Sequence, residues 1–183
     1  MATYVNDLRL KEIATGDESG TWGASTNTNL ELIAEAFSYG TEASFGSDAD
    51  ATTTIADGAT DPARSLYFKV TSGVSLTATR TLTLAPNDVS KVWIIENATS
   101  GSQSINISQG SGSNVTIGNG DVKIVYSDGG GASANVVDAF TDLSVTDKFK
   151  IEGSTPTLTI GDGGEEDTKL VFDGNAKDFY VGL

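Results

Sequence analysis

The sequence predicts a mainly β protein carrying one short amphipathic helix, and three observations point there. The 183-residue chain combines abundant Val, Ile, Ser and Thr with 21 Gly and 3 Pro, a composition that favours strands and turns over disorder. Beyond residue 40, short apolar runs recur between clusters of Gly, Asn, Asp and Ser, which is the spacing of an antiparallel β-sandwich or barrel. One segment, residues 26–39, carries a helical period instead. The expected organisation is an extended arm plus helix over residues 1–39, an antiparallel β domain over 40–141, and a β-repeat shaft starting over 142–183.

Residues 1–25 show no sustained period, and Thr15-Gly16-Asp17-Glu18-Ser19-Gly20-Thr21 is a run of turn formers, so this stretch reads as an extended arm. Trp22 stands out within it. Two readings apply: a ring packed on the helix that follows, or an anchor seated in a partner's pocket, where Trp is enriched. In the helix, Leu30, Ile33, Ala34 and Phe37 share one face. Thr26 or Asn27 suits the N-cap, Glu31 suits the macrodipole, and Gly40 suits a left-handed terminus. So narrow an apolar stripe is marginal alone, and the helix is expected to pack on the β domain or on copies of itself.

Candidate strands follow at residues 65–70, 75–84, 91–97, 104–108, 114–117, 122–127 and 134–140. The stretch from Leu76 to Leu84 alternates with period two, as a strand with one buried face does. Trp93 is expected in the core, with a sugar-stacking surface as the other reading. The Gly-rich segment 109–114 lacks the Lys and Ser/Thr of a phosphate loop and reads as a hairpin turn. Beyond Asp142, a register of 21 residues matches Ile151 to Phe172, Gly153 to Gly174, Leu158 to Phe179 and Ile160 to Val181. Two such units bury little apolar surface and need neighbours along the chain or in other chains. The second unit's strand runs to Leu183, and a longer fibre is expected to continue from it.

Composition also narrows the chemistry. The net charge of −14 disfavours nucleic acid and anionic membranes as partners. The chain contains neither Cys nor His, which removes Ser-His-Asp and Cys-His nucleophile systems and the usual zinc ligand sets. The run Asp162-Gly163-Gly164-Glu165-Glu166-Asp167 lacks the alternating ligand spacing of an EF-hand and reads as a solvated turn. Asn97, Asn106 and Asn114 head Asn-x-Ser/Thr triplets, read as coincidence in a chain this rich in those residues. No catalytic, cofactor or metal site is predicted. The first residues carry neither the basic nor the apolar region of a secretory signal, so assembly in a cytoplasm is expected.

Several segments taken in order carry a family resemblance: Asn6-Asp7-Leu8-Arg9-Leu10-Lys11-Glu12-Ile13, Gly20-Thr21-Trp22-Gly23, Thr26-Asn27-Thr28-Asn29-Leu30 and Ile33-Ala34-Glu35-Ala36-Phe37. Together they resemble the N-terminus of tail fibre proteins of marine tailed bacteriophages. The segments Pro86-Asn87-Asp88-Val89, Lys91 to Asn97 and Val122 to Gly129 resemble a β domain of the same proteins, and Thr155 to Asp162 with Val171-Phe172-Asp173-Gly174 is similar to their shaft repeats.

The resemblance implies a virion protein without enzymatic activity or cofactor. It implies a homotrimer whose arm and helix attach the fibre to adaptor, nozzle or baseplate proteins of the tail. It also implies a host receptor bound by a more distal region. The tail-anchoring or oligomer-interface residues expected on this reading are Trp22, Leu30, Ile33 and Phe37. The alternatives are a capsid decoration or other small virion-surface protein and, in a different class, a polysaccharide-degrading tailspike.

Overall fold

The structure, a computed structural model, describes residues 3–141 and 150–155. The chain divides into two compact units, Met1–Asp142 and Leu143–Leu183, and the account below concerns the first. Of the 21-residue repeat, residues 151–155 are described and the rest lies outside the described residues, as does the acidic run 162–167.

The fold is mainly β, with two mixed sheets and one helix. The elements are α1 (Trp22–Ala36), β1 (Tyr39–Phe45), β2 (Ala51–Thr54), β3 (Tyr67–Ser72), β4 (Arg80–Ala85), β5 (Ser90–Asn97), β6 (Ile105–Ser108), β7 (Val115–Ile117), β8 (Val122–Asp128) and β9 (Val136–Asp138). The larger sheet runs in the order β1-β3-β5-β8-β9 and the smaller in the order β2-β4-β6-β7. Neither closes on itself.

The expected antiparallel pairing is corrected for the first six strands. In the larger sheet β1, β3 and β5 are parallel, and in the smaller sheet β2, β4 and β6 are parallel. Among the strands named here, β5–β8, β8–β9 and β6–β7 pair antiparallel. The chain therefore winds as a coil, laying successive strands in alternate sheets, so that Tyr39 pairs with Tyr67 and Tyr67 with Ile94. Parallel neighbours need a crossover, and here the strand in the opposite sheet supplies it. Period-two alternation reports which face a side chain takes but is blind to strand direction, so the spacing of the apolar runs could not distinguish the two pairings.

Strands β1 and β2 lie outside the segments that the sequence pattern picks out. Strand β1 has a Gly at its second position and β2 is mostly Thr, so neither shows an apolar alternation. Conversely, of the candidate strand 75–84 only Arg80 onward is strand; Asp48 accepts from both Thr77 N and Arg80 Nε, the latter at 2.8 Å. The 109–114 segment does join the antiparallel strands β6 and β7.

Alternation along each strand sends one set of side chains between the sheets. Phe45, Phe68, Val70, Trp93, Ile95 and Val125 from the larger sheet meet Leu82, Leu84, Ile105, Ile107 and Ile117 from the smaller in one buried cluster. Trp93 lies in this core with its indole N–H donating to Ala63 O at 2.8 Å. Lys91 caps the same face. Its Nζ lies 4.7 Å over the Trp93 ring and donates to Ser65 O and Val92 O. Burial pushes its ammonium down to about 8, with the Asp61 charge opposing.

The N-terminal segment is not a free arm. Thr3 bridges Glu12, Arg9 O accepts from Gly58 N at 2.8 Å, and Asp7 accepts from Ser90 N at 2.8 Å. The centre of this attachment is Arg64, which is fully buried. Its guanidinium donates to Leu8 O, to Ala56 O at 2.6 Å, to Ala59 O at 2.8 Å and to the Asp61 carboxylate at 3.0 Å. Asp61 in turn accepts from Ala56 N and Arg64 N, and burial raises its carboxyl above the usual range.

These buried charges set two measurable expectations. Replacing Arg64 with Met strands the Asp61 carboxylate and three carbonyls, a class of change that costs about 3–5 kcal/mol. Urea denaturation should show that loss, and hydrogen exchange at residues 6–11 should accelerate in the same variant. For Lys91, the folded state gives up its proton near 8 and the unfolded chain near the ordinary 10.5. The unfolded chain thus holds more protons between those values, and this group's contribution makes stability rise with pH across that window. A Lys91→Met variant should lose that rise, and a side-chain NMR titration should place the Lys91 midpoint near 8.

Candidate functional site

Helix α1 begins four residues earlier than its sequence period suggests, with Thr21 in the N-cap position and no side-chain cap. The extra turn forms because Thr21 N and Trp22 N both donate to Glu18 O, at 2.9 and 3.0 Å. Lys11 holds Glu18 by an ion pair and reaches Ser25 on the helix at 3.2 Å. At the other end the helix stops at Ala36, with Phe37 as C-cap and the Ser38 hydroxyl donating to Glu35 O at 2.7 Å. Gly40 is not the terminator. It lies buried within β1, where a Cβ would come within 2.4 Å of Pro62 O, so glycine is needed there for close approach of the turn Pro62–Arg64.

The face of α1 that meets its own chain differs from the face the period picks out. Leu32 and Ala36 are its buried residues. Asn29, on the same side, exchanges two hydrogen bonds with the Lys11 backbone at 3.0 and 2.8 Å. Glu35 accepts from Asp61 N at 2.7 Å, tying the helix into the Arg64 cluster. The helix is thus fastened by one Leu, one Ala and polar contacts.

That attachment turns the predicted interface residues outward. Trp22 is 62% exposed, Leu30 59% and Phe37 75%, and Ile33 on the same side is half-buried. At roughly 100° per residue, these four fall within one side of the helix. Trp22 does not bury its ring on the helix that follows. Together they form an apolar ridge standing off the molecule. Exposed apolar surface of this kind, where it is continuous and rimmed by polar groups, marks a site of contact with a partner.

A second apolar surface is not among the residues that helical spacing singles out. The outward side of the larger sheet carries Tyr39, Tyr67, Ile94 and Ile124 in one register row. Tyr39 and Tyr67 stack with centroids 5.2 Å apart, and Val92 pairs with Tyr126 in the row beside them. A signal for it existed: Val92-Trp93-Ile94-Ile95 is apolar at both parities, as in strands covered on both faces. Along the edge of these rows Lys69 and Glu96 pair at 2.8 Å, and the Tyr67 hydroxyl donates to Glu96 at 2.9 Å. Lys69, with Tyr67 as the second donor, holds the Glu96 carboxyl below its usual range.

The cavities are shallow by comparison. An open groove of about 360 Å³ runs between β7 and β9, floored by Val115 and Val136 and edged by the Lys123–Asp138 pair at 2.9 Å. Among the described residues no three His, Cys, Asp or Glu side chains are grouped to hold a metal ion, and no helix is long and apolar enough to cross a membrane. No protein-family model, curated protein or solved structure matches this chain.

The two sides of α1 are expected to respond differently to substitution. Leu32→Ala, which opens a cavity, should cost about 2–5 kcal/mol. Leu30→Ala and Phe37→Ala should change unfolding by less than about 0.5 kcal/mol at concentrations that keep copies apart. Urea denaturation of the three variants checks the ranking.

Proposed function

We propose that this chain is a structural segment of a bacteriophage tail fibre, located in the virion, that joins the fibre to the tail and supports host attachment without catalysing a reaction. The observation that carries the reading is the ridge of Trp22, Leu30 and Phe37, left exposed on a helix whose other side is already fastened. An acidic chain that keeps three large apolar side chains in water at its N-terminal end has a surface suited to a protein partner. The order of the sequence segments that resemble tail fibre proteins supports the same role, and so does the resemblance of residues beyond 142 to shaft repeats.

On this reading the chain works as a homotrimer, with tail proteins as the partners of its N-terminal part and the receptor met by a more distal region. Light scattering on the purified chain tests it. A mass about three times the 18.9 kDa of one copy is expected of a closed three-fold assembly. A cooperatively folded single copy would overturn the fibre reading in favour of a small capsid decoration protein.

A further inference from the structure

The core between the two sheets is built without the N-terminal segment or α1. Its buried cluster draws on residues from Phe45 to Val136, and Leu32 and Ala36 are buried outside it. What joins residues 3–36 to the strands and their loops is mostly polar. Arg9 pairs with Asp57 at 2.8 Å and with Asp88 at 3.7 Å, both carboxylates being exposed. Arg9 O accepts from Gly58 N, against which the Tyr4 ring lies. Asp7 accepts from Ser90 N, Leu8 O from the Arg64 guanidinium and Glu35 from Asp61 N. Few buried apolar contacts and partly exposed hydrogen bonds mark a region that opens before the rest of a molecule unfolds.

Within residues 3–36 the parts are tied to one another. Thr3 O accepts from Glu12 N at 2.9 Å, and the Asn6 side chain closes the turn between them by bonding Leu10 N and Leu10 O, both at 2.8 Å. The Asn29 side chain bonds the Lys11 backbone twice, and Lys11 reaches Glu18 and Ser25. The arm is thus a small hairpin clipped along the helix. Its covalent exit is Phe37, the exposed C-cap of α1. Ser38 already belongs to the larger sheet, since its carbonyl accepts from Tyr67 N at 3.1 Å. A helix-terminal residue of this kind is where hinge rotation is absorbed.

Opening strands no charge. When Leu8 leaves, Arg64 keeps Ala56 O, Ala59 O and the Asp61 carboxylate, all from the loop after β2. Arg9 gains by it, because its resting backbone stands at φ 52°, a left-handed conformation that is unfavourable for a side-chain-bearing residue.

We propose that residues 3–36 form one hinged unit, which swings off the two sheets about Phe37 while the sheets stay folded. Arg64 and the Arg9 pairs fix the resting arrangement, and opening re-aims the helix that bears Trp22 and Leu30. The use of that motion, freedom of angle where the fibre meets the tail, rests on the tail-joining reading; the motion itself rests on the contacts above.

Hydrogen exchange read by mass spectrometry on the full chain tests it. A double variant, Asp57→Asn with Asp88→Asn, takes both carboxylates from Arg9. Peptides covering 6–11 and 22–36 should then exchange faster by one common factor, about fivefold for the loss of exposed ion pairs, while β5 and β8 keep their rates. In Asn29→Ala, which cuts the clip, 6–11 should exchange faster than 22–36. Acceleration of 6–11 alone in the double variant would overturn the single unit. Acceleration reaching β5 and β8 would mean global unfolding, and unchanged rates would mean that Arg9 latches nothing; either overturns the hinge. Equal arm and helix rates in Asn29→Ala would overturn the clip that makes them one unit. A single-copy mass by light scattering bears on the fibre reading alone and leaves the hinge standing.

Discussion

The guanidinium of Arg64 organises the N-terminal third of this molecule. It sits fully buried and donates to the carbonyls of Leu8, Ala56 and Ala59 and to the Asp61 carboxylate. Those groups come from separate parts of the chain: Leu8 from the N-terminal segment, Ala56 and Ala59 from the loop after β2, Asp61 from the start of the turn that packs on Gly40 of β1. Asp61 also reaches Glu35 of α1 through its backbone N–H. A buried charge tolerates no loose partner, because leaving it uncompensated costs several kcal/mol. Arm, helix and first strand are therefore held in one arrangement, and the helix is rolled so that Leu32 and Ala36 face inward.

Rolling the helix that way is what exposes Trp22, Leu30 and Phe37. A helix with an apolar stripe ordinarily buries it against its own domain. Here the burial is modest and the fastening polar, through Asn29, Glu35 and the Lys11–Glu18 pair. The parallel coil has a comparable effect on the larger sheet. Stacking β1, β3 and β5 in register brings Tyr39, Tyr67 and Ile94 into one line, and β8 extends that line with Ile124. Residues that are scattered in sequence become a continuous apolar row only through that register. On the reading proposed, function resides in the exposed ridge of α1.

Local and long-range information separate cleanly in this fold. The positions of β3 to β9 are marked by apolar runs and turn clusters, as are the existence of one helix and the burial of Trp93, because alternation and composition report burial directly. The same signals pass over β1 and β2, whose Gly and Thr carry no apolar period. They also suggest the wrong direction for the first six strands. Tyr67 pairs with Ile94 and Arg80 with Ile105, separations that no local pattern encodes.

The candidate site divides in the same way. Leu30, Ile33 and Phe37 are recognisable as one helical face by spacing alone, and Trp22 by its size and setting. That this face points to solvent depends on Leu32, Asn29 and Glu35 finding partners, the last two at Lys11 and Asp61. The outer sheet row depends on register. The sequence by itself determined the mainly β class, the one α-helix found among the described residues, the acidic charge and the absence of Cys and His chemistry, because composition and short-range period suffice for those. Tertiary structure alone decided strand direction, the roll of the helix and which apolar side chains of the described residues are exposed, because each depends on hydrogen bonds and packing between residues far apart along the chain.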